Sequence, residues 1–358
     1  MRQVFAFLNV LLLLQLPVWA QERPLYLDSR LPIEVRVEDL LQRMTLEEKV
    51  AQMVSMWQTK RLIVDAQNRF DPSRAPEWFK LGIGRIERPS EYFRTAREAA
   101  EFTNAVQRWV KENTRLGIPV LFHEEALHGI QAYEATSYPQ AIALASTWDP
   151  ALVERVYARI AREVRSRGVH QVLTPVVDVG REPRWGRIEE TFGEDPFLVA
   201  EMGKAAVWGL QGRQVPPLGP DRVIATLKHM TGHGQPEGGI NVAPVFFGER
   251  HLREVFLYPF REAIQKAGAL SVMASYNEID GIPSHANVWM LRDVLRGEWG
   301  FKGVIVSDWF AIRQLITKHH IAANEAEAAY RALEATVDIE LPDYDVYPVL
   351  LEQVGLGV

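Results

Sequence analysis

Short apolar runs that end in polar residues alternate along the chain with longer stretches in which apolar residues recur at helical spacing. The runs are typical of strands buried in a parallel sheet, and the stretches between them indicate amphipathic helices. Helices are predicted over residues 150–168 and 252–268, and Gly268 stands where a helix C-cap glycine is expected. Strands are predicted over 82–86, 118–125, 171–179, 223–229, 270–277, 303–308 and 336–341.

Seven such alternations between residues 82 and 341 indicate parallel strands joined by helical crossovers. A (β/α)8-type TIM barrel is the natural closure for a sheet of this size. We therefore predict an α/β fold with a single barrel domain over residues 21–358.

Polar residues concentrate where the predicted strands end. The carboxyl ends of barrel strands open on one face, and that face holds the active site in barrel enzymes. We therefore expect a shared pocket there. Its candidate residues are His123, Glu124, Glu125, Asp178, Lys228, His229, Tyr276, Asn277 and Asp308.

Asp308 ends the most apolar of these strands, and Trp309 follows it directly. One interpretation is a carboxylate delivered into the pocket, with the tryptophan as a wall. The alternative is structural, because Asp is a preferred helix N-cap and Trp is a common core residue. Position alone leaves both interpretations open.

Composition and charge narrow the class of protein. The 358 residues include no cysteine, which excludes disulfides, thiol nucleophiles and cysteine metal sites. The net charge of -6 gives no basic footprint for nucleic acid. Residues 1–20 combine Arg2, an apolar run and a small residue, Ala20, which predicts a cleaved secretory signal rather than a membrane anchor. The expected location is therefore secreted or periplasmic.

The mixture of carboxylates, cations and aromatic residues at the strand ends suits a sugar. Charged groups hydrogen-bond hydroxyls, and aromatic faces pack on C–H surfaces. Arg184 or Arg187, in the segment 181–196, is a candidate to grip hydroxyls. His229 and His233 have the spacing of a helical zinc pair, but the glycines beside His233 disfavour a helix, so no metal and no cofactor is predicted.

Five ordered blocks of sequence resemble the N-terminal barrel of family 3 glycoside hydrolases, from about residue 35 to about residue 345. Their order along the chain makes the resemblance specific. The blocks are HEEALHG (123–129), PVVDVGREPRWGRIEETFGEDP (175–196), KHMTGHGQPEGG (228–239), VMASYNEIDGIPSHAN (272–287) and GVIVSDW (303–309).

The resemblance implies a role for each matching position. Asp308 takes the place of the family's catalytic nucleophile, and Trp309 that of an aromatic residue beside the site. The remaining matches imply sugar-binding residues, and they are Glu125, Arg187, Lys228, His229 and Tyr276.

Two departures from the family pattern change these expectations. Many members carry an arginine about a dozen residues after the Lys-His pair, whereas this chain has none there, which makes Glu237 a candidate replacement. Most members carry the acid/base on a second, α/β sandwich domain. We expect that domain to be missing from a chain that ends at Val358, with no evident acid/base, so a partner domain would have to supply it.

The resemblance therefore predicts a retaining exo-β-glycosidase of the glucosidase/xylosidase branch, acting on terminal β-linked glucose or xylose in oligosaccharides. One alternative is a single-barrel β-N-acetylhexosaminidase, because KHMTGHG is close to that branch's motif. The residues that follow lack the Asp-Ser-His of that branch. The other alternative is a truncated half-enzyme that binds sugar without turnover.

Overall fold

The computed structural model describes residues 24–214 and 216–355, with Gly355 described in its backbone alone. The predicted signal segment 1–20 lies outside these residues. The described chain divides into two compact units between Thr45 and Leu46. The described part of the first unit contains a 3-10 turn (Leu25–Leu27) and helix α1 (Ile33–Arg43).

The second unit is built on a sheet of seven parallel strands, in the spatial order β1-β2-β3-β4-β5-β6-β9, and β7 pairs with β8 in a separate antiparallel hairpin. The predicted α/β barrel-type fold is thereby confirmed. The described strands are β1 (Ser55–Met56), β2 (Arg85–Glu87), β3 (Leu121–Glu124), β4 (Gln171–Val172), β5 (Ile224–Met230), β6 (Ser271–Ala274), β7 (Glu278–Ile279), β8 (Ile282–Pro283) and β9 (Val304–Val306).

The predicted strand over 336–341 pairs with β9 at a single bridge, between Val306 and Ile339. On its other side the Glu340 N–H donates to the Met53 carbonyl oxygen at 2.9 Å, just before β1. This segment therefore connects the two edges of the sheet, as the eighth element of a barrel does.

Helices follow most strands, as the pattern predicts. The α-helices of the second unit are α2 (Leu46–Ala51), α3 (Ala75–Phe79), α4 (Ala96–Asn113), α5 (Ala141–Ala145), α6 (Pro150–Ser166), α7 (Pro196–Gln211), α8 (Glu249–His251), α9 (Tyr258–Gln265), α10 (Ala311–Thr317), α11 (Glu325–Glu334) and α12 (Leu350–Gly355). Shorter 3-10 segments are Gln58–Ile63, Ile188–Glu190, Glu237–Gly239, Ser284–Ala286 and Tyr347–Val349, and π-helical segments are Leu252–Phe256 and Trp289–Glu298. In the described residues no helix is both long enough and apolar enough to cross a bilayer.

The helix predicted over 252–268 is interrupted. A π-helical turn ends at Phe256 and α9 begins at Tyr258, because Pro259 has no N–H to continue the ladder of helical hydrogen bonds. Gly268 has a φ of +70° and donates its N–H to the Ile264 carbonyl oxygen at 3.1 Å. Helix α9 itself ends at Gln265 with Lys266 as its C-cap, so this glycine closes the turn that follows the helix.

The barrel interior has an apolar layer and a polar layer. Leu173, Met273, Val306 and Leu341 form a buried apolar cluster, on which Trp309 also packs. In the polar layer Gln171 donates to Thr226 Oγ1 at 2.7 Å and to Ser271 Oγ at 3.0 Å. The polar layer comes from the neighbouring parallel strands β4, β5 and β6, so the register of these strands positions its side chains.

Candidate active site

Asp308 lies two residues beyond β9 and is only 6% exposed. Its Oδ1 accepts the Trp309 N–H at 2.8 Å. Its Oδ2 accepts no hydrogen bond from the described residues and lies 3.8 Å from His229 Nε2. The helix-cap alternative is wrong, because α10 begins at Ala311 with Phe310 as its N-cap. One buried carboxylate oxygen of Asp308 thus has no hydrogen-bond partner among the described residues.

The charge state of Asp308 reflects two opposing effects. Burial raises the pKa of its carboxyl to about 6. The positive charge of Lys228, the Trp309 N–H and the charge of Arg187 lower that pKa and offset part of the rise. At neutral pH the carboxyl is therefore mostly ionised, as a nucleophile requires.

Lys228 and Glu125 form an ion pair between β5 and the end of β3, across the intervening strand β4. Lys228 Nζ lies 3.2 Å from Glu125 Oε1 and 3.0 Å from Oε2. Lys228 is buried and comes from β5, whereas the half-buried Glu125 directly follows β3. Both line a cavity of about 340 Å³.

His229 is held between Asp178 and Arg187. Asp178 Oδ2 accepts from His229 Nδ1 at 2.8 Å, and an Arg187 amino group lies 3.2 Å from His229 Nε2. Burial lowers the pKa of His229 well below its ordinary value, with a further contribution from the Arg187 charge. The ring is therefore neutral, with Nδ1 as donor and Nε2 as acceptor.

Arg187, in the segment after β4, contacts both Glu190 and the two histidines His229 and His233. It makes two hydrogen bonds to Glu190, at 2.8 Å and 2.7 Å, and its other amino group lies 3.2 Å from His233 Nε2. An arginine between the two histidines is incompatible with a shared metal ion, since both ring nitrogens already accept its N–H groups. Arg184 lies outside the group, because its side chain is exposed and pairs with Glu182.

Aromatic residues complete the group. The Tyr276 hydroxyl donates to the Trp309 carbonyl oxygen at 3.0 Å. Trp309 contacts Trp57, at 4.3 Å between ring centres, and also packs on the apolar interior cluster. Trp309 is therefore half-buried core material, and its role as a wall of the sugar site stays a prediction.

The cavity of about 340 Å³ opens over these strand ends. Asp308 itself does not line the cavity, although Lys228 and Arg187, whose charges lower its pKa, do. The lining residues are Arg88, Glu125, Leu127, His128, Gln131, Gln140, Ala141, Arg187, Glu189, Glu190 and Lys228.

Glu237 is the candidate that the structure does not bring into this group. Its side chain is exposed at the start of the 3-10 segment Glu237–Gly239. Among the described residues it makes no side-chain hydrogen bond or ion pair with the candidates above. In the loop after β5 the Gly234 carbonyl oxygen accepts two backbone hydrogen bonds, from the N–H groups of residues 181 and 182.

Three residues of the site were not among the sequence candidates. His285 Nε2 accepts the Asp308 N–H at 3.0 Å, and burial lowers the His285 pKa to about 3, so the ring stays neutral. Trp57 and Arg88 both pack on Trp309. Arg88 directly follows β2, so the strand-end rule that selected Asp308 would have found it as well.

Comparison with known proteins shows which protein family this chain matches. The model of the "Glycosyl hydrolase family 3 N terminal domain" matches residues 45–357. A putative beta-xylosidase of Formosa agariphila is 38% identical over 330 residues, which cover 92% of this chain and 44% of the relative. A periplasmic beta-glucosidase of Salmonella typhimurium is 36% identical over 309 residues, covering 86% of this chain and 37% of the relative.

Solved structures agree with this placement. A β-glucosidase from Erythrobacter marinus superposes with a TM-score of 0.87 at 40% identity, covering 94% of this chain and 44% of that one. A β-glucosidase from Listeria innocua in complex with glucose gives a TM-score of 0.77 at 34% identity, covering 90% of this chain and 44% of that one.

The chain spans less than half the length of each of these relatives. The match over residues 45–357 nevertheless includes every strand of the sheet and every residue of the site. The chain therefore belongs to glycosyl hydrolase family 3 and corresponds to the N-terminal domain of that family.

Proposed function

We propose that this chain carries the nucleophile and the sugar-binding residues of a retaining exo-β-glycosidase, which removes terminal β-linked glucose or xylose from oligosaccharides. The observation that carries the proposal is the buried Oδ2 of Asp308, which has no hydrogen-bond donor among the described residues and lies beside His229. The names of the relatives, beta-xylosidase and beta-glucosidase, support the choice of sugar.

In this mechanism Asp308 Oδ2 forms a bond to the anomeric carbon while the bond to the leaving oxygen breaks. The leaving group departs with the bonding electrons, and water then hydrolyses the glycosyl-enzyme so that the configuration is retained. Lys228 and Arg187 lower the pKa of Asp308 and so favour its ionised form. Glu125, Lys228, Arg187, His229 and Tyr276 are proposed to orient the sugar.

Labelling with a mechanism-based inhibitor tests this step alone. A dinitrophenyl 2-deoxy-2-fluoro-β-glycoside has a leaving group that needs no proton, so the assay does not depend on the acid/base. Intact-mass spectrometry is expected to show one glycosyl adduct on the unaltered chain, and peptide mapping to place it on Asp308.

Two variants make the labelling test decisive. Asp308→Ala is expected to form no adduct, whereas Asp293→Asn, at an exposed carboxylate on the π-helical segment Trp289–Glu298, is expected to label normally. Equal labelling of Asp308→Ala and the unaltered chain would refute the proposal.

The same assay separates the alternatives. Adduct formation or hydrolysis with an N-acetylglucosaminide but not with a glucoside or xyloside would select the hexosaminidase. Sugar affinity without any adduct would select a domain that binds without turnover.

We propose a secreted or periplasmic location, supported by the signal pattern of residues 1–20 and by the periplasmic relative. A mature chain beginning at Gln21 is the expected result of N-terminal sequencing. A cell-retained chain that still carries Met1 would contradict it.

A further inference from the structure

Arg88 directly follows β2 and lines the cavity together with Glu125, Lys228 and Arg187. Its guanidinium carbon lies 4.5 Å from the ring centre of Trp309 and 5.9 Å from that of Trp57. A guanidinium over an indole face is an attractive cation–π contact. The stack therefore holds the end of the Arg88 side chain at the cavity wall, next to the residue that follows Asp308.

The Arg88 side chain donates no hydrogen bond to another residue of the described chain. A guanidinium has five N–H donors. Among the described residues none accepts a hydrogen bond from the Arg88 side chain, although that side chain is only 32% exposed and its Nε is buried. The other two cations of the cavity differ, because Lys228 donates to Glu125 and Arg187 donates to Glu190.

The neighbouring Glu87 carboxyl does not accept a hydrogen bond from Arg88. Glu87 Oε1 lies 3.5 Å from Arg88 Nε, beyond a good hydrogen bond, and neither oxygen of Glu87 has a hydrogen-bond donor in the described residues. Burial raises the pKa of Glu87 well above its ordinary value, which favours its uncharged form. The N–H donors of Arg88 therefore remain available to the contents of the cavity.

We propose that Arg88 is a further substrate-binding residue, whose guanidinium donates hydrogen bonds directly to oxygen atoms of the bound saccharide. Saccharide hydroxyls supply the acceptors that residues 24–214 and 216–355 do not, and hydrogen bonds from a charged donor are the stronger kind. The inference rests on the proposed glycosidase function and deepens it, since it adds a contact from β2 to those from β3, β4 and β5.

Calorimetric binding of glucose and xylose to the full chain tests the contact. Arg88→Ala is expected to weaken binding about 10-fold or more, as the loss of a hydrogen bond to a charged donor does. Arg88→Lys keeps the charge but not the planar donor array, so it is expected to recover only part of the affinity.

Monodeoxy glucoses identify a direct contact. Removal of the hydroxyl that Arg88 binds is expected to weaken binding to the unaltered chain but not to Arg88→Ala, whereas the other deoxy positions weaken both equally. A role confined to orienting Trp309 would leave the same deoxy penalties in both proteins. Each deoxy penalty is the affinity for the deoxy sugar relative to that for glucose on the same variant. If Arg88→Ala does not fold, Arg88→Lys takes its place.

Arg213→Ala is the matched control, because Arg213 stacks on Trp208 at 4.0 Å and does not line this cavity. Its sugar affinity is expected to equal that of the unaltered chain. Equal affinity of Arg88→Ala, or deoxy penalties that do not differ between the proteins, would overturn the Arg88 assignment while labelling of Asp308 still stood. No saccharide binding by the unaltered chain would overturn both.

Discussion

One oxygen of Asp178 accepts two hydrogen bonds from His229, from the backbone N–H at 3.0 Å and from Nδ1 at 2.8 Å. These two hydrogen bonds fix both the position of His229 and the orientation of its ring. His229 Nε2 is thereby placed 3.2 Å from an Arg187 amino group and 3.8 Å from Asp308 Oδ2. A carboxyl that the sequence marks only as a strand-end residue thus orients the groups around the proposed nucleophile.

Replacement of Asp178 is expected to affect stability and labelling together. Asp178→Ala leaves two buried His229 donors without an acceptor, which costs about 1–3 kcal/mol for each such group. Asp178→Asn keeps an acceptor oxygen and is expected to cost less in both measurements. Urea unfolding and the rate of adduct formation are the readouts. An Asp178→Ala protein as stable and as reactive as the unaltered chain would show that the two hydrogen bonds do not position His229.

The rate of labelling is expected to depend on pH through Asp308. Its pKa lies at about 6 rather than at the ordinary 3.8, because burial disfavours the charged form. Only the ionised form attacks, so the rate should fall about tenfold for each pH unit below 6 and level off above it. A labelling rate that does not change between pH 5 and pH 7 would contradict the assignment of Asp308.

Lys228→Met is expected to move that pH profile. The Lys228 charge is the largest influence that lowers the pKa of Asp308, so its removal should raise the pKa and shift the acid limb to higher pH. The readout is the midpoint of the profile, which is independent of any loss of sugar affinity. Lys302→Met, at an exposed lysine, is the control and should leave the midpoint unchanged. A shift of the midpoint to lower pH in Lys228→Met would contradict this prediction.

Gly303 allows β9 to begin close to β6. A Cβ at this position would lie 2.2 Å from the Leu270 carbonyl oxygen, which accepts the Val304 N–H at 3.0 Å. Gly303→Ala is therefore expected to destabilise the fold by about 2–4 kcal/mol in urea unfolding, since the clash displaces a buried strand. Gly297→Ala, where the added Cβ meets its nearest atom at 3.5 Å on an exposed helical surface, should be neutral or stabilising by up to about 1 kcal/mol. Equal stability of the two variants would show that β9 tolerates the displacement.

The strands most accurately predicted are those with a continuous apolar pattern. The strand predicted over 223–229 is found at Ile224–Met230, and that over 303–308 at Val304–Val306. The two-residue strand β1 was missed, because a pair of residues carries no periodicity, and the segment 336–341 forms only a bridge. Short elements depend on their neighbours for pairing, and those neighbours are distant in sequence.

The sequence predicted only those site residues that stand at strand ends or in the blocks that resemble the family. The strand-end rule and the resemblance selected Asp308, Glu125, Lys228 and His229, which the structure brings together. His285 was missed because its contact with Asp308 joins residues 23 positions apart, through a loop with no periodic pattern.

By itself, the sequence determined the alternation of strands and helices, the family and the strand ends that carry polar residues, because these properties depend on local order and spacing. Only the tertiary structure decided that Arg88 enters the cavity and that Glu237 faces solvent, because loop paths follow from long-range packing. The charge states of Asp308 and His229 were likewise decided by the fold, since burial and distant charges set their pKa values.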